Sequence, residues 1–241
     1  MPDLVSGQNY IHKRKIIMFK KIIYIFAITL LMTFEGYSQN PANSSTWLED
    51  TNGKIITSNN YTDVDGSPYF PTQWVGGTVT LKMGKVIPFV ALRFNTISGN
   101  LEFQLNQKPY DVINPIREFT LGDMIFKNGF SVIGDNNADT FYQVIYDGKN
   151  KLLCKRESSI YIDQPYNSAT KTKTIKLTET YYLSKNDGKI FQVKKNLKNL
   201  SMAFEDKTGQ IEEYCKKENI KLRSWNDAVK ILEYADRLEK Q

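Results

Sequence analysis

The chain has 241 residues, 41% of them hydrophobic and 12% aromatic, with 32 basic against 26 acidic residues and a net charge of +6. That is the composition of a globular protein with one sizeable core, and it excludes a disordered or disulfide-dense chain. One histidine, His12, and two cysteines, Cys154 and Cys215, leave little material for histidine-dependent catalysis or a thiolate metal centre.

Residues 1–38 read as a secretory signal. Lys13, Arg14, Lys15, Lys20 and Lys21 precede the apolar run Ile22–Met32, which suits a signal core and is short for a membrane span. Gly36 and Ser38 are the small residues expected before a cut between Ser38 and Gln39. Met18-Phe19-Lys20-Lys21 makes the more ordinary signal start, so residues 1–17 read as an upstream extension that need not be native. The cut removes His12, which excludes Ser-His-Asp and Cys-His chemistry and histidine-ligated zinc from the mature chain. It also removes five basic residues against two acidic ones, Asp3 and Glu35. The remaining charge is nearly balanced and spread along the chain, which points to no nucleic-acid partner.

Residues 39–60 form a polar leader in which Trp47-Leu48 and Ile55-Ile56 are the strong apolar points; it is expected to dock loosely or to add an edge strand. Residues 61–193 read as an antiparallel β domain. Tyr61–Tyr69 carries turn chemistry in Asp63, Asp65, Gly66 and Pro68. Strand patterning then runs through Gly77–Lys82, Ile87–Phe94 and Leu101–Leu105, where Leu101, Phe103 and Leu105 alternate with Glu102 and Gln104. Tyr110–Ile113 starts the next strand. Shorter strands are expected at Arg117–Leu121, Met124–Phe126, Ser131–Ile133, Tyr142–Tyr146 and Lys151–Lys155, with Asp147-Gly148 as a hairpin turn. Thr174–Leu183 and Lys189–Val193 flank the turn Asn186-Asp187-Gly188. No helical pattern separates these strands, so the fold class is α+β: an antiparallel meander, as a curved sheet or partly open barrel, followed by a helical segment over residues 194–241. There, Val193, Leu197, Leu200 and Phe204 fall at helical spacing, and Ile211, Tyr214 and Cys215 mark a second helix. Ser224 with Asp227 resembles a capping box before the stripe Ala228, Ile231, Leu232, Ala235 and Leu238. These helices are expected to pack on the β domain.

Candidate chemistry is sparse. Asp63-x-Asp65-Gly66 and Asp135-x-Asn137-x-Asp139 resemble fragments of calcium loops. In the second, however, Thr140 and Tyr146 stand where an EF-hand requires glycine and glutamate, so solvated turns are expected and no metal is assigned. Glu102, Glu118 and Asp123 are carboxylates that a histidine-free glycosidase could use, although no spacing singles out a pair. Ser184-Lys185 leads into a turn, and Lys194, Lys195 and Lys198 read as a solvated helix face. Cys154 and Cys215 could form one disulfide in an oxidising compartment, or remain two buried thiols. No catalytic residue or cofactor is assigned.

The stretches Gly66–Phe70, Trp74–Val79, Arg93-Phe94-Asn95 and Gly99–Phe103, with a signal ending Tyr-Ser-Gln, resemble an uncharacterised family of exported β-rich proteins from Bacteroidetes. The Tyr181-Tyr182-Leu183 strand and the terminal helices are similar to that group as well. The resemblance implies a periplasmic or secreted protein of a Gram-negative bacterium and brings no catalytic residues. The expected function is a non-enzymatic binding or accessory role in the envelope, with an envelope protein, glycan or apolar ligand as partner and no transmembrane span in the mature chain. The alternatives are a histidine-free carboxylate glycoside hydrolase and a carrier that holds an apolar ligand inside a curved sheet.

Overall fold

The computed structural model describes residues 54–55, 61, 63–164, 166 and 171–238. The expected signal, with its cut between Ser38 and Gln39, lies outside the described residues, as does most of the polar leader. Among the described residues eleven strands form one sheet: β1 (Lys54–Ile55), β2 (Tyr69–Leu81), β3 (Val86–Asn95), β4 (Asn100–Leu105), β5 (Lys108–Asp111), β6 (Ile116–Leu121), β7 (Met124–Lys127), β8 (Tyr142–Asp147), β9 (Lys151–Asp163), β10 (Thr172–Ser184) and β11 (Ile190–Val193). Their spatial order is β1-β5-β4-β3-β2-β6-β7-β8-β9-β10-β11, and each neighbouring pair is antiparallel. This is the predicted α+β architecture, a β meander followed by helices.

Of the two places where the meander order is broken, β1 to β2 and β5 to β6, the second forces the sheet to curl. β5 and β6 follow each other in the chain but stand four strand positions apart, about 19 Å in a flat sheet. The link from Asp111 to Ile116 spans at most about 18 Å when fully extended. The link also hugs the sheet, with Val112 N–H donating to Leu101 O and Lys82 N–H to Pro115 O at 2.8 Å each. The curled half encloses Val79, Leu81, Leu92, Phe94, Leu101, Phe103, Phe119 and Phe126, all buried. Gly77 lets β2 and β6 close at one point, since a Cβ there would lie 2.0 Å from Thr120 O. Pro71 falls where β2 and β3 lose register, between Phe70 and Val75, a place that tolerates a residue without an N–H.

The second half of the sheet is covered on both faces. Leu152, Leu183 and Val193 face α1 (Leu197–Ser201), α2 (Thr208–Lys217) and α3 (Trp225–Leu238). The neighbouring residues Leu153 and Tyr182 point the other way, where Phe130 and Ile133 of the 128–141 loop cover them. The α3 start follows the predicted cap: Asp227 N–H donates to Ser224 Oγ at 3.2 Å, and Asp227 Oδ2 accepts from the backbone of Arg223 and Ser224. The buried stripe Ala228, Ile231, Leu232 and Ala235 packs on the sheet as the spacing predicts.

Three local expectations need correction. Ser131–Ile133 is not a strand: Ile133 makes an isolated bridge to Asn136, and Gly129 and Gly134 turn the loop at positive φ. Val193 ends β11, and the helical spacing after it is broken at Phe204 (φ −121°, ψ 52°), inside a 3-10 stretch over Met202–Lys207. β9 does not stop at Lys155; it runs on to Asp163.

Candidate functional site

The outer face of the curled half holds a buried polar cluster. Strand alternation sends Leu92 and Phe94 into the core and leaves Arg93 and Asn95 outside, and the β3–β4 register sets Arg93 opposite Glu102. Glu102 Oε2 accepts from Arg93 Nη2 at 2.7 Å and from Nε at 2.8 Å, while Asn95 Nδ2 donates to Oε1 at 3.4 Å. The guanidinium lies 3.5 Å from the Tyr69 ring centroid and 4.1 Å from that of Trp74. Glu102 is 2% exposed. Burial raises its pKa above the ordinary 4.5 in spite of the hydrogen bonds and charge of Arg93, which pull it down. Burial and the Glu102 charge likewise raise Tyr69. The cluster packs a charge pair between two aromatic rings and keeps both carboxylate oxygens occupied.

This arrangement gives Glu102 a structural role and separates it from the other candidate carboxylates. Glu118 sits on β6, with β3 and β2 between it and β4, and faces Lys127 at 3.6 Å; Asp123 is exposed in the β6–β7 turn. Asp111, which the sequence reading passed over, stands directly opposite Glu102 in the β4–β5 register. The tight Asn106-Gln107 turn could have shown this pairing, because it fixes Leu105 opposite Lys108. Glu102 is thus buried, with both carboxylate oxygens hydrogen-bonded, and Asp111 is the carboxylate the register brings beside it.

The remaining candidates are placed apart. Asp63 and Asp65 are exposed, and the Asp65 backbone is used in bridging β10. In the 135–139 loop, Asn136 Nδ2 donates to the Tyr182 hydroxyl at 3.0 Å, and Asp139 pairs with Lys82 at 2.6 Å. Among the described residues no group of three histidine, cysteine or acidic side chains is placed to hold a metal. Ser184 is buried at the end of β10, and Lys185 Nζ donates to Ala203 O at 2.9 Å. Lys194, Lys195 and Lys198 are exposed. Cys154 and Cys215 are both buried free thiols, so the disulfide considered for them is not formed; burial pushes Cys154 up to about 11 and raises Cys215.

Aromatic rings pack against one another inside the curled half. Phe119 stacks on Phe126 at 4.8 Å between centroids, with Phe94 at 5.6 Å and Phe141 at 4.9 Å from Phe119. An open cleft of about 320 Å³ lies outside, lined by Phe94, Thr96, Ser98, Asp139, Lys155 and Glu157 among others. Its charges are answered locally, with Lys155 on Glu157 at 2.9 Å and Asp139 on Lys82.

The surface that stands out is the far end of β9 and β10. These strands pair along their full 13 residues, from Lys151↔Ser184 to Asp163↔Thr172. β8 accompanies β9 only to Cys154, and β11 accompanies β10 only from Tyr181. Beyond those points the pair continues as a two-stranded ribbon clamped at its base on both edges. On the β9 side, Ser158 N–H donates to Thr96 O at 2.9 Å, and the Ser158 and Thr96 hydroxyls are hydrogen-bonded at 2.7 Å. On the β10 side, Asp65 N–H donates to Lys173 O and Ile175 N–H to Asp65 O. Past the clamps, Ile160 is 41%, Ile162 63% and Tyr166 96% exposed. Tyr161 is also exposed, with Lys176 Nζ 4.8 Å from its ring centroid. The sequence reading missed this end because its apolar residues face no core; the available signal was the run Ser158-Ser159-Ile160-Tyr161-Ile162, strongly β-forming and uncharged.

Comparison with family models, with curated proteins and with solved structures finds no match for this chain.

Proposed function

We propose that this protein is exported to the envelope of a Gram-negative bacterium and acts there by binding, with the β9–β10 ribbon as its contact surface. The observation that carries the reading is the clamped ribbon whose apolar side chains face solvent: a rigid base and an unsatisfied tip are what a docking element requires. The signal-like residues 1–38, the resemblance to exported Bacteroidetes proteins and the loss of His12 on cleavage support the address and weigh against histidine chemistry. The glycosidase alternative loses support from the occupied oxygens of Glu102, and the carrier alternative from the stacked rings of the interior.

Two measurements test this. The protein recovered from the periplasm or medium should begin at Gln39 on N-terminal sequencing; recovery from the cytoplasm with residues 1–38 intact refutes the address. A photo-crosslinking residue at Tyr161 should give an adduct with an envelope component in intact cells, whereas one at Val132, exposed on the 128–141 loop, should not. Equal labelling from both positions, or none from Tyr161, removes the ribbon as the binding surface.

A further inference from the structure

We infer that the tip of the ribbon docks on the surface of an anionic lipid bilayer, an inference that rests on the ribbon being the binding surface proposed above. Of the eleven exposed large hydrophobic side chains among the described residues, five gather here: Ile160, Tyr161, Ile162, Tyr166 and Leu177. The β9–β10 register puts Ile160, Ile162 and Leu177 on one face of the ribbon and Tyr161 on the other, with Tyr166 in the connecting turn. Lys171, Lys173 and Lys176 surround this tip, all exposed, and none has an ion-pair partner among the described residues. The acids nearby are Asp163, Glu157, which Lys155 engages, and the exposed Asp63 and Asp65 at the β10 clamp.

A bilayer interface matches each part of this arrangement. Aliphatic side chains enter the acyl boundary, tyrosine rings sit at headgroup level with their hydroxyls in water, and lysines meet lipid phosphate charge. Only side chains need to enter, which is consistent with no helix among the described residues being long and apolar enough to cross a membrane. A second copy is a poorer occupant. Edge pairing of two β9 strands with Ile160 opposite itself would set Glu157 against the partner's Asp163 at both ends, and like charges directly opposite destabilise a strand pair.

The test uses the chain from Gln39 onward, so that the apolar signal contributes nothing. It should co-sediment with phosphatidylglycerol–phosphatidylethanolamine vesicles and not with phosphatidylcholine vesicles. Each lysine near an anionic surface is worth about fivefold in partitioning, so K171Q/K173Q/K176Q should weaken binding by about two orders of magnitude. I160S/I162S/Y166S should abolish it, and M83S/V132S, exposed apolar positions elsewhere, should leave it unchanged. Because the altered side chains are exposed, melting curves of the variants should overlay the parent; if one does not, 0.5 M salt on the unaltered chain must produce the same loss as the lysine variant. Equal pelleting with both vesicle types, no pelleting with either, or indifference to both ribbon variants overturns the inference. A protein adduct at Tyr161 without vesicle binding overturns the lipid partner and leaves the binding reading standing. A dimer in sedimentation velocity that I160S abolishes, without vesicle binding, assigns the tip to self-association instead. Loss of adduct and vesicle binding together removes both readings.

Discussion

Arg93 and Glu102 show how a single pair is committed by its surroundings. Two aromatic rings hold the guanidinium, two guanidinium N–H groups meet one carboxylate oxygen, and Asn95 meets the other. Removing one partner strands the other charge in a site with little water, so Arg93→Ala should cost about 3–5 kcal/mol in urea unfolding. The pair also carries a pH signature. Burial holds the folded Glu102 pKa above the ordinary 4.5, so the native state binds this proton more tightly than the unfolded chain does. Its contribution is therefore fully present below 4.5 and is lost as pH rises through the raised folded value. Glu102→Gln, which cannot titrate, should flatten the dependence of stability on pH just above 4.5; a slope identical to the parent's would show that Glu102 does not set it. In the sequence Glu102 looks like an ordinary charge on a polar strand face. Its burial depends on Arg93 nine residues earlier, and only the pairing of β3 with β4 brings the two together.

At the scale of elements, α3 is tied to the sheet by one carboxylate. Asp236 Oδ2 accepts from the Tyr146 hydroxyl at 2.9 Å and from Lys149 N–H at 2.7 Å, while Oδ1 accepts from the backbone and side-chain amides of Asn150 at 3.2 and 2.7 Å. The Asp147-Gly148 turn thus depends on a distant helix as well as on its own residues. Asp236→Ala leaves buried donors unpaired and should cost about 3 kcal/mol. It should also speed amide exchange at Lys149 and Asn150 ahead of global unfolding. Gly148 is required at the same spot, because a Cβ there would lie 2.1 Å from Asp236 Oδ2. Most strands and the α3 cap were legible because they follow local rules: alternation, Gly-containing turns and a Ser-x-x-Asp start. What escaped was set by partners far away in the chain. Asp236 falls within the helical pattern of α3 without marking itself as a sheet anchor, and the ends of β9 and β10 carry apolar residues that bury nothing. The break at Phe204 escaped for a related reason, since its ring is buried by a kinked backbone that a regular stripe does not foretell.

The whole molecule has two principal cores on one continuous sheet. The stacked rings pack inside the curled half, and the helices cover the other, with β6, β7 and β8 running between them without a gap in hydrogen bonding. A defect in one core should therefore be felt in the other. Phe119→Ala removes the ring at the centre of the first core and should cost about 3–5 kcal/mol. Its effect should lower the melting of the helical signal in circular dichroism, although the helices lie in the second core; an unchanged helical transition would mean that the halves unfold separately. The two thiols offer a simpler check of closure. Buried and protonated, they should resist alkylation in the native protein and both react in urea. The Asp236 contact finally has a meaning in time. The β8–β9 hairpin is local and can form early, yet its turn amides wait for a carboxylate 86 residues further on. A chain passing N-terminus first through an export channel would reach the far side with that turn still open, and the arrival of α3 would close it.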